Sequence, residues 1–284
     1  MFTLNSKGTL FTIDHPVTMG IINATPDSFY GGSRAATIEA ALNKAGTMIQ
    51  EGAFILDIGG QSTRPDSEIV DVKEELTRVI PVIEAVKKAY PSTLISVDTY
   101  YPEVAANAIA AGADMVNDIS GGRYFKDMLP TVAQLKVPYI CMHSSGTLET
   151  MHQKLPYENI TNALLEYFIE RIHACQQAGI LDIIIDPGFS FGKIPEDNFA
   201  IIKNLNALQM LQKPLLLGVS RKSTIYKTLG ISPEESLNGT TVLHTMGLMN
   251  KAHILRVHDV REAMQAIILY EKVCNKESIL KEHE

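Results

Sequence analysis

Polar and charged side chains recur in this chain at the ends of short apolar runs. In chain order they are Asn23, Asp57, Asp98, Asn117 with Asp118, His143, Asp186, Ser220, and Arg256 with His258. A single Asp after a strand is usually a helix cap or a turn residue. A whole series of such ends is better explained by one shared site, in which carboxylates and amides supply hydrogen-bond partners and Arg and His attract an anion.

The apolar runs that carry these side chains are short and rich in Ile, Val and Leu, which is typical of strands buried on both faces. They are predicted at Val17–Asn23, Phe54–Gly60, Leu94–Thr99, Met115–Ser120, Pro138–Ser144, Ile183–Gly188, Pro214–Ser220 and Ile254–Asp259. Helices are predicted between them, at Thr37–Gln50, Val72–Ala89, Pro102–Ala111, Lys126–Leu135, Tyr157–Ala178, Asp197–Leu211, Ser236–Asn250 and Val260–Val273.

This alternation predicts an α/β fold with a parallel sheet, and its eight strand-then-helix units favour a closed (β/α)₈ TIM barrel. An open, doubly wound sheet is the alternative. Residues 3–13 indicate a hairpin around Ser6–Gly8, so we expect a single domain over residues 1–284 in which residues 1–16 form an N-terminal β-hairpin extension. In a barrel, the polar strand ends would converge on one mouth.

Helix ends and loops add further signals. Gly112 and Gly179 follow helical runs and favour left-handed caps, and Asp259 with Glu262 has the spacing of a capping box. The connections at residues 23–32 and 59–66 are long for strand-to-helix loops. Such loops often act as lids or substrate clamps, whereas plain turn chemistry would explain only their glycines.

Composition limits the class of protein. The chain has 284 residues, 45% of them apolar, and a net charge of −7, which disfavours nonspecific binding to nucleic acid. No apolar run approaches the roughly 18 residues that span a bilayer, and the N-terminus lacks the pattern of a signal peptide. Cys141, Cys175 and Cys274 have no metal-ligand spacing, so we expect reduced thiols and a cytoplasmic protein.

Seven segments make the functional prediction specific. From Met19 to Val260 they are MGIINATPDSF, DIGGQSTRP, SVDT, NDISGG, IIDPGFSFGK, GVSRKS and RVHDV. Together they resemble the dihydropteroate synthases, TIM-barrel enzymes of folate biosynthesis. The resemblance implies that a dihydropterin-methyl diphosphate condenses with 4-aminobenzoate, that pyrophosphate is released, that Mg²⁺ is the cofactor, and that the protein is a homodimer.

The resemblance also implies a pterin pocket. Its predicted residues are Asp98, Asn117, Met142, Asp186, Phe191, Lys222 and Arg256. Carboxylates and an amide would bind the pterin edge, Lys222 would bind a ring oxygen or nitrogen, and Phe191 would pack against the flat ring. Met142 is equally well explained as a core residue, and the alternative for the acidic and amide side chains is strand-end capping.

The diphosphate is expected to contact Asn23, Thr63, Arg256 and His258. Arg256 and His258 are two apart on a strand and therefore point to the same side. Asn23 matches the family's contact to Mg²⁺, an ion that takes oxygen ligands and keeps several from water and phosphate. A hydrogen-bonded structural histidine is the alternative for His258.

The residues expected to bind 4-aminobenzoate are Phe29, Thr63, Pro65, Lys222 and Ser223. Two long loops would form a flat slot, and the start of a short helix at Ser223 would bind the carboxylate. Arg221 lies next to this helix, and the alternative to a binding role for it is a side chain that is simply solvated.

The favoured mechanism is dissociative, with no protein nucleophile. Pyrophosphate leaves first, and carboxylates stabilise the resulting pterin-methyl cation. Asp27 would orient the amine or offset the charge of the cation. The predicted catalytic residues are Asp27, Asp98, Asp186, Lys222, Arg256 and His258.

The sequence departs from the family pattern in two loops. The first reads SFYGGSR where an SDGG-like stretch is common, and the second has Gln61 where Glu is common. Two other functions remain open, a pterin-dependent methyltransferase with a cobalamin partner and a non-catalytic pterin-binding paralogue. The TPDSF loop and the Arg256–His258 pair disfavour the first, and the intact set of site residues disfavours the second.

Overall fold

A computed structural model of the chain describes residues 1–25, 34–61, 69–151, 153–154 and 156–274. Four predicted site residues, Asp27, Phe29, Thr63 and Pro65, lie outside these ranges. The described strands are β1 (Phe2–Ser6), β2 (Thr9–Ile13), β3 (Val17–Asn23), β4 (Ala53–Gly59), β5 (Leu94–Asp98), β6 (Met115–Asp118), β7 (Tyr139–Met142), β8 (Ile183–Asp186), β9 (Leu216–Leu217) and β10 (Ile254–Val257). The described helices are α1 (Arg34–Gln50), α2 (Val72–Ala89), α3 (Pro102–Ala111), α4 (Met128–Leu135), α5 (Ile160–Ala178), α6 (Pro195–Lys203), α7 (Ser223–Leu229), α8 (Leu237–Met249) and α9 (Val260–Val273).

Eight parallel strands form a ring, in the order β8-β7-β6-β5-β4-β3-β10-β9. A parallel bridge between Ile185 and Leu215 brings β8 beside the start of β9. The two ends of the sheet therefore meet, and the predicted barrel is confirmed over the open sheet. Because all strands run the same way, their carboxyl ends share one mouth.

The predicted N-terminal hairpin is confirmed. Strands β1 and β2 pair antiparallel, and Lys7 and Gly8 make the turn with φ of 52° and 94°. Leu4 and Ile13 are 1% exposed and pack with Val17 among the apolar side chains at the amino ends of the barrel strands. The hairpin thus covers the end of the barrel opposite the mouth.

The helices surround the ring and bury one face against it. Ile58 on β4 and Val79 and Ile83 on α2 are fully buried in the same apolar cluster. Gly112 and Gly179 adopt the predicted left-handed caps of α3 and α5. Within the described part of the chain, no helix combines the length and apolarity needed to cross a bilayer.

The structure differs from the predicted elements in three places. The helix predicted at Asp197–Leu211 is broken at Asn204 into α6 and a 3₁₀ segment, Leu205–Leu211. The strand predicted at Pro214–Ser220 has ladder geometry only at Leu216–Leu217. Strand β3 has its predicted bounds, whereas the other strands end one or two residues before their predicted last residues, because the chain turns there into the mouth loops.

Candidate active site

One pocket at the mouth collects all seven residues predicted to contact a pterin. It is lined by Asp98, Asn117, Met142, Asp186, Phe191, Lys222 and Arg256, together with Ile119 and Gly218. These residues come from the ends of six strands and the loops that follow them. The side chain of Met142 is buried and also lines the pocket, so its two alternative roles coincide.

An ion-pair network crosses one side of this pocket. Nε of Arg256 donates to Oδ2 of Asp57 at 2.6 Å, and its Nη2 donates to Oδ2 of Asp98 at 2.6 Å. Nδ2 of Asn117 donates to the same Asp57 oxygen at 3.0 Å. Arg256 therefore reaches past β3 to carboxylates on β4 and β5, and Asp57 joins it to Asn117 on β6.

Burial and charge act in opposite directions on this network. Burial raises the pKa of Asp98 to about 7, although the guanidinium of Arg256 opposes the change. Burial disfavours the Arg256 cation, but Asp57 and Asp98 outweigh that effect and raise the pKa of Arg256 above its ordinary value. Arg256 is thus a permanent cation whose charge is already shared between two carboxylates.

Asp186 and Lys222 face each other across the other side of the pocket. Oδ1 of Asp186 accepts the N–H of Gly188 at 2.8 Å. Nζ of Lys222 donates to the carbonyl of Phe189 at 2.6 Å and lies 4.5 Å from the centroid of the Phe191 ring. Burial lowers the pKa of Lys222 to about 8, and the carboxylate of Asp186 opposes that change. The pair therefore presents a hydrogen-bond acceptor and a donor to a planar ligand.

Gly218 keeps the floor between these side chains open. A Cβ at this position would lie 3.8 Å from Nζ of Lys222 and Cβ of Arg256, and 3.9 Å from Oδ2 of Asp186. A methyl group would fit there without a clash, but it would occupy the space toward which the acid and both cations converge.

His258 is neutral at neutral pH in this structure. Loss of hydration and the nearby cations Arg256 and Lys44 lower the pKa of His258 to about 4. Its Nδ1 lies 3.0 Å from Oγ of Ser220, which in turn accepts the backbone N–H of His258 at 3.1 Å. The ring is therefore oriented by Ser220, and it would contribute positive charge only if an arriving anion raised its pKa enough for the ring to take up a proton from solvent.

The predicted capping box at Asp259 and Glu262 is wrong. Asp259 makes no side-chain cap on α9; its two carboxylate oxygens instead accept Nε and Nη2 of Arg221, both at 2.8 Å. Arg221 also donates to the carbonyls of Pro233 and Glu234 at 3.3 and 2.9 Å. It is therefore not simply solvated, and it ties the loop before α7 to the start of α9.

Not every polar strand end faces the pocket. Asp118 accepts the N–H groups of Ser120 and Gly122 and the hydroxyl of Tyr139, at 2.7, 2.9 and 2.6 Å. For this residue the turn explanation is the correct one. Asn23 is half-buried at the end of β3, and Ser223 is half-buried at the start of α7.

The sequence predicts no role for the side chains of Asp57 and Ser220 beyond their position at strand ends. Their importance lies in their partners, Arg256 and His258, which are 199 and 38 residues away in the chain. Only the register of the closed barrel brings these pairs together. Position at a strand end was the available signal, and it was sufficient to mark both residues as candidates.

The family departure at Gln61 has a clear structural setting. Its Nε2 donates to the carbonyl of Val70 at 2.6 Å and to Oε2 of Glu75 at 2.8 Å, while its Oε1 accepts the N–H of Val70 at 3.1 Å. The amide is thus hydrogen-bonded at both ends, and it places a donor rather than a second acid on the buried Glu75.

No group of three His, Cys, Asp or Glu side chains that could hold a metal occurs among the residues whose placement is described. Asn23 offers one amide oxygen at the mouth. A single neutral oxygen fits an ion such as Mg²⁺ that takes its other ligands from phosphate and water.

The barrel, its polar mouth and the acid–amide–cation pocket define a pterin-binding barrel enzyme. Residues 19–258 match the family model described as "Pterin binding enzyme". The dihydropteroate synthase of Escherichia coli is 40% identical over 272 residues, covering 94% of this chain and 95% of that protein. The chain belongs to the dihydropteroate synthase family, so the predicted family and enzyme class are confirmed.

Solved structures agree with this assignment. The Xanthomonas albilineans dihydropteroate synthase with 4-aminobenzoic acid has a TM-score of 0.89 and 40% identity, covering 96% of this chain and 98% of that one. A structure of the same organism's enzyme with 7,8-dihydropteroate has a TM-score of 0.85 and 39% identity, over the same shares of the two chains.

Proposed function

We propose that this chain condenses (7,8-dihydropterin-6-yl)methyl diphosphate with 4-aminobenzoate to give 7,8-dihydropteroate and pyrophosphate. The observation that carries the proposal is the single pocket in which Asp98, Asn117, Asp186, Lys222 and Arg256 meet. The related X. albilineans enzyme binds 4-aminobenzoic acid and 7,8-dihydropteroate, one substrate and the product of this reaction.

In this proposal the pterin ring lies between two walls of the pocket. Asp186 accepts hydrogen bonds from the amino edge of the pterin, and Lys222 donates to an acceptor on the ring. Asn117, whose amide is already oriented by Asp57, completes the edge. Met142 and Phe191 cover the faces of the ring, for which thioether and aromatic groups are well suited.

The diphosphate would lie at the mouth beside Arg256, His258 and Asn23, together with Thr63. Mg²⁺ held by the Asn23 amide oxygen and the diphosphate oxygens would offset the negative charge of the leaving group. His258, oriented by Ser220, would donate a hydrogen bond to the anion. An arriving anion also raises the pKa of a neighbouring histidine, which would strengthen this contact as the substrate binds.

Loss of pyrophosphate before attack by the amine is the mechanism that the charge distribution favours. The pocket holds Asp98 and Asp186 near the position of the pterin, and carboxylates stabilise a delocalised cation. Lys222 would take part through its contact to the ring, and Asp27 would orient the amine. The aromatic amine would approach in a slot formed by Phe29, Thr63 and Pro65, with its carboxylate near Lys222 and Ser223.

The activity is tested by incubating the protein with the pterin diphosphate, 4-aminobenzoate and Mg²⁺ and measuring pyrophosphate and dihydropteroate. We expect both products in equal amounts, and neither after omission of the pterin. Pterin binding without pyrophosphate release would instead assign a non-catalytic binding protein. Methyl transfer from an added N-methylated reduced pterin to an added cobalamin protein, without dihydropteroate formation in the first assay, would assign a methyltransferase.

The dissociative mechanism has its own test, positional isotope exchange in the pterin diphosphate without the amine. We expect the bridging oxygen label to scramble, because the cleaved diphosphate rotates and recombines with the cation. Absence of scrambling, with loss of the leaving group only when amine is added, would establish direct displacement.

We further propose that the protein is a cytoplasmic homodimer. Five exposed apolar side chains lie on the adjacent helices α8 and α9, namely Val242, Met246, Met249, Leu269 and Val273, at 45–75% exposure. Met249, Leu269 and Val273 line one pocket formed by these two helices, and exposed apolar side chains that cluster in this way are typical of a protein–protein interface. Three free cysteines, Cys141, Cys175 and Cys274, fit a reducing compartment.

A further inference from the structure

Lys193 ends the IIDPGFSFGK segment and has no place in the reaction described so far. Its side chain is fully buried. Nζ donates to three backbone carbonyls, those of Gly188 at 2.8 Å, Phe191 at 3.0 Å and His143 at 3.3 Å. One ammonium group thus joins two points of the loop after β8 to the residue that follows β7.

The loop follows a path that needs such a donor. Gly188, Ser190 and Gly192 all have left-handed backbones, with φ of 66°, 69° and 61°. A Cβ at Gly188 would lie only 1.9 Å from the His143 carbonyl oxygen. The loop therefore packs directly against the end of β7, and without Lys193 the carbonyls gathered there would lose a buried hydrogen-bond donor.

This loop presents two groups to the pocket. The carbonyl of Phe189 accepts Nζ of Lys222, and the ring of Phe191 lies beneath the same ammonium. Both groups fall between Gly188 and Lys193, the two ends that the buried ammonium draws together. A shift of the loop would therefore move Phe191 and Lys222 as a unit.

A buried lysine is costly unless it is hydrogen-bonded and near opposite charge. Burial lowers the pKa of Lys193 to about 7, while the carboxylates of Asp186 and Asp197 oppose that change. An apolar side chain of similar length would fill the space without this cost. The energetic cost and the three converging carbonyls together indicate a role in holding the loop.

We propose that Lys193 is a positioning residue of the pterin pocket, which fixes the loop of residues 187–193 so that Phe191 and the Phe189 carbonyl hold Lys222 in place. It acts through these groups and does not itself contact the substrate. The inference rests on the proposed pterin pocket, which binding of a pterin to the unmodified protein tests separately.

The test is a double-mutant cycle with 6-hydroxymethylpterin, which lacks the leaving group, measured by calorimetry. We expect K193M to raise the Kd of this pterin at least about tenfold, as expected for loss of a charged buried donor. In a F191A background the same change should raise Kd by less than about threefold, because both substitutions disrupt one unit. At saturating pterin diphosphate, the KM for 4-aminobenzoate should rise less than the Kd of the pterin, because only the carboxylate contact of the amine to Lys222 depends on this loop.

The matched control is K203M, because Lys203 is an exposed lysine on the neighbouring helix α6. This substitution should leave the Kd of the pterin unchanged. K193Q, which keeps an N–H donor, should give an intermediate Kd. Additive losses in the cycle, an equal loss for both substrates, or a K193M Kd within twofold of the unmodified protein would overturn the proposal. If neither K193M nor K193Q folds, Lys193 stabilises the core as a whole, and the proposal also fails.

Discussion

At the scale of single residues, Asp57 has the largest structural consequence for the site. It is fully buried, and one of its oxygens accepts both Arg256 and Asn117. A buried carboxylate is tolerated when paired in this way, and its pairing fixes the orientation of both partners. The precision of the pocket therefore depends on a side chain that does not line it.

We predict that D57N both destabilises the protein and weakens pterin binding. The new amide can still turn one oxygen toward Arg256 and Asn117, but it removes the negative charge that pairs with the buried Arg256 cation. Breaking a buried ion pair typically costs about 3 kcal/mol of unfolding free energy, which urea denaturation measures.

The matched control for this prediction is D127N. Asp127 is exposed and makes no side-chain cap on α4. We expect its unfolding free energy and its KM for the pterin to stay close to those of the unmodified protein. Equal behaviour of the two variants would show that the Asp57 pairing contributes little.

At the scale of elements, hydrophobic patterning predicted most helices and strands, including α2, α3 and α9 with their observed bounds. It failed where two kinds of helix share the same hydrophobic pattern. Leu205 and Leu208 are buried in the 3₁₀ segment after α6, and a spacing of three suits an α-helix equally well. The break at Asn204 carries no Gly or Pro that would have marked it.

The Asp259 side chain failed as a helix cap for a different reason. Spacing alone cannot reveal that a carboxylate has a stronger partner elsewhere, here the paired nitrogens of Arg221. The same limit applies to the whole ion-pair network: the sequence marks which residues end strands, but the pairs depend on strand register.

Helix α2 carries a pH-dependent contribution to stability at Glu75. Burial raises the pKa of Glu75 to about 7 from an ordinary value of 4.5. The folded state therefore holds the proton more tightly than the unfolded chain. The resulting stabilisation is complete below about pH 4.5 and is lost as the pH rises through 7.

E75Q should remove this dependence, because a neutral amide replaces the protonated acid beside Gln61. Between pH 4.5 and 8, we expect the unfolding free energy of the unmodified protein to fall by about 3 kcal/mol more than that of the variant. Urea denaturation across this range measures the difference. E74Q, at an exposed position on the same helix, should retain the original slope; equal slopes for E75Q and the unmodified protein would contradict the prediction.

At the scale of the whole molecule, closure of the barrel makes the site possible. Arg256 on β10 can reach Asp98 on β5 only because the ring curves their carboxyl ends toward each other. The number of predicted units favoured closure, but periodicity is the same for a barrel and an open sheet. The Ile185–Leu215 bridge decides between them.

The proposed dimer is also a property of the whole molecule. L269D places a charge in the apolar surface of α8 and α9, where Leu269 is 67% exposed. Burying that charge would be costly, so we expect the unmodified protein to sediment as a dimer and L269D as a monomer in analytical ultracentrifugation.

I169D is the matched control for the dimer, because Ile169 is 61% exposed on α5. It should sediment like the unmodified protein. A monomeric unmodified protein, or dissociation by both variants alike, would remove the assignment of the interface to α8 and α9.

The N-terminal hairpin, which covers the end of the barrel opposite the mouth, affects how substrates enter and products leave. With Leu4 and Ile13 packed across that end and the barrel interior filled by side chains, the described part of the chain places the pocket at the opposite end, among the carboxyl ends of the strands. Both substrates would then bind, and both products would dissociate, through the mouth of the barrel. A product that stays bound in the pocket therefore prevents the next pterin from binding. The rate of repeated turnover then depends on how quickly the product dissociates.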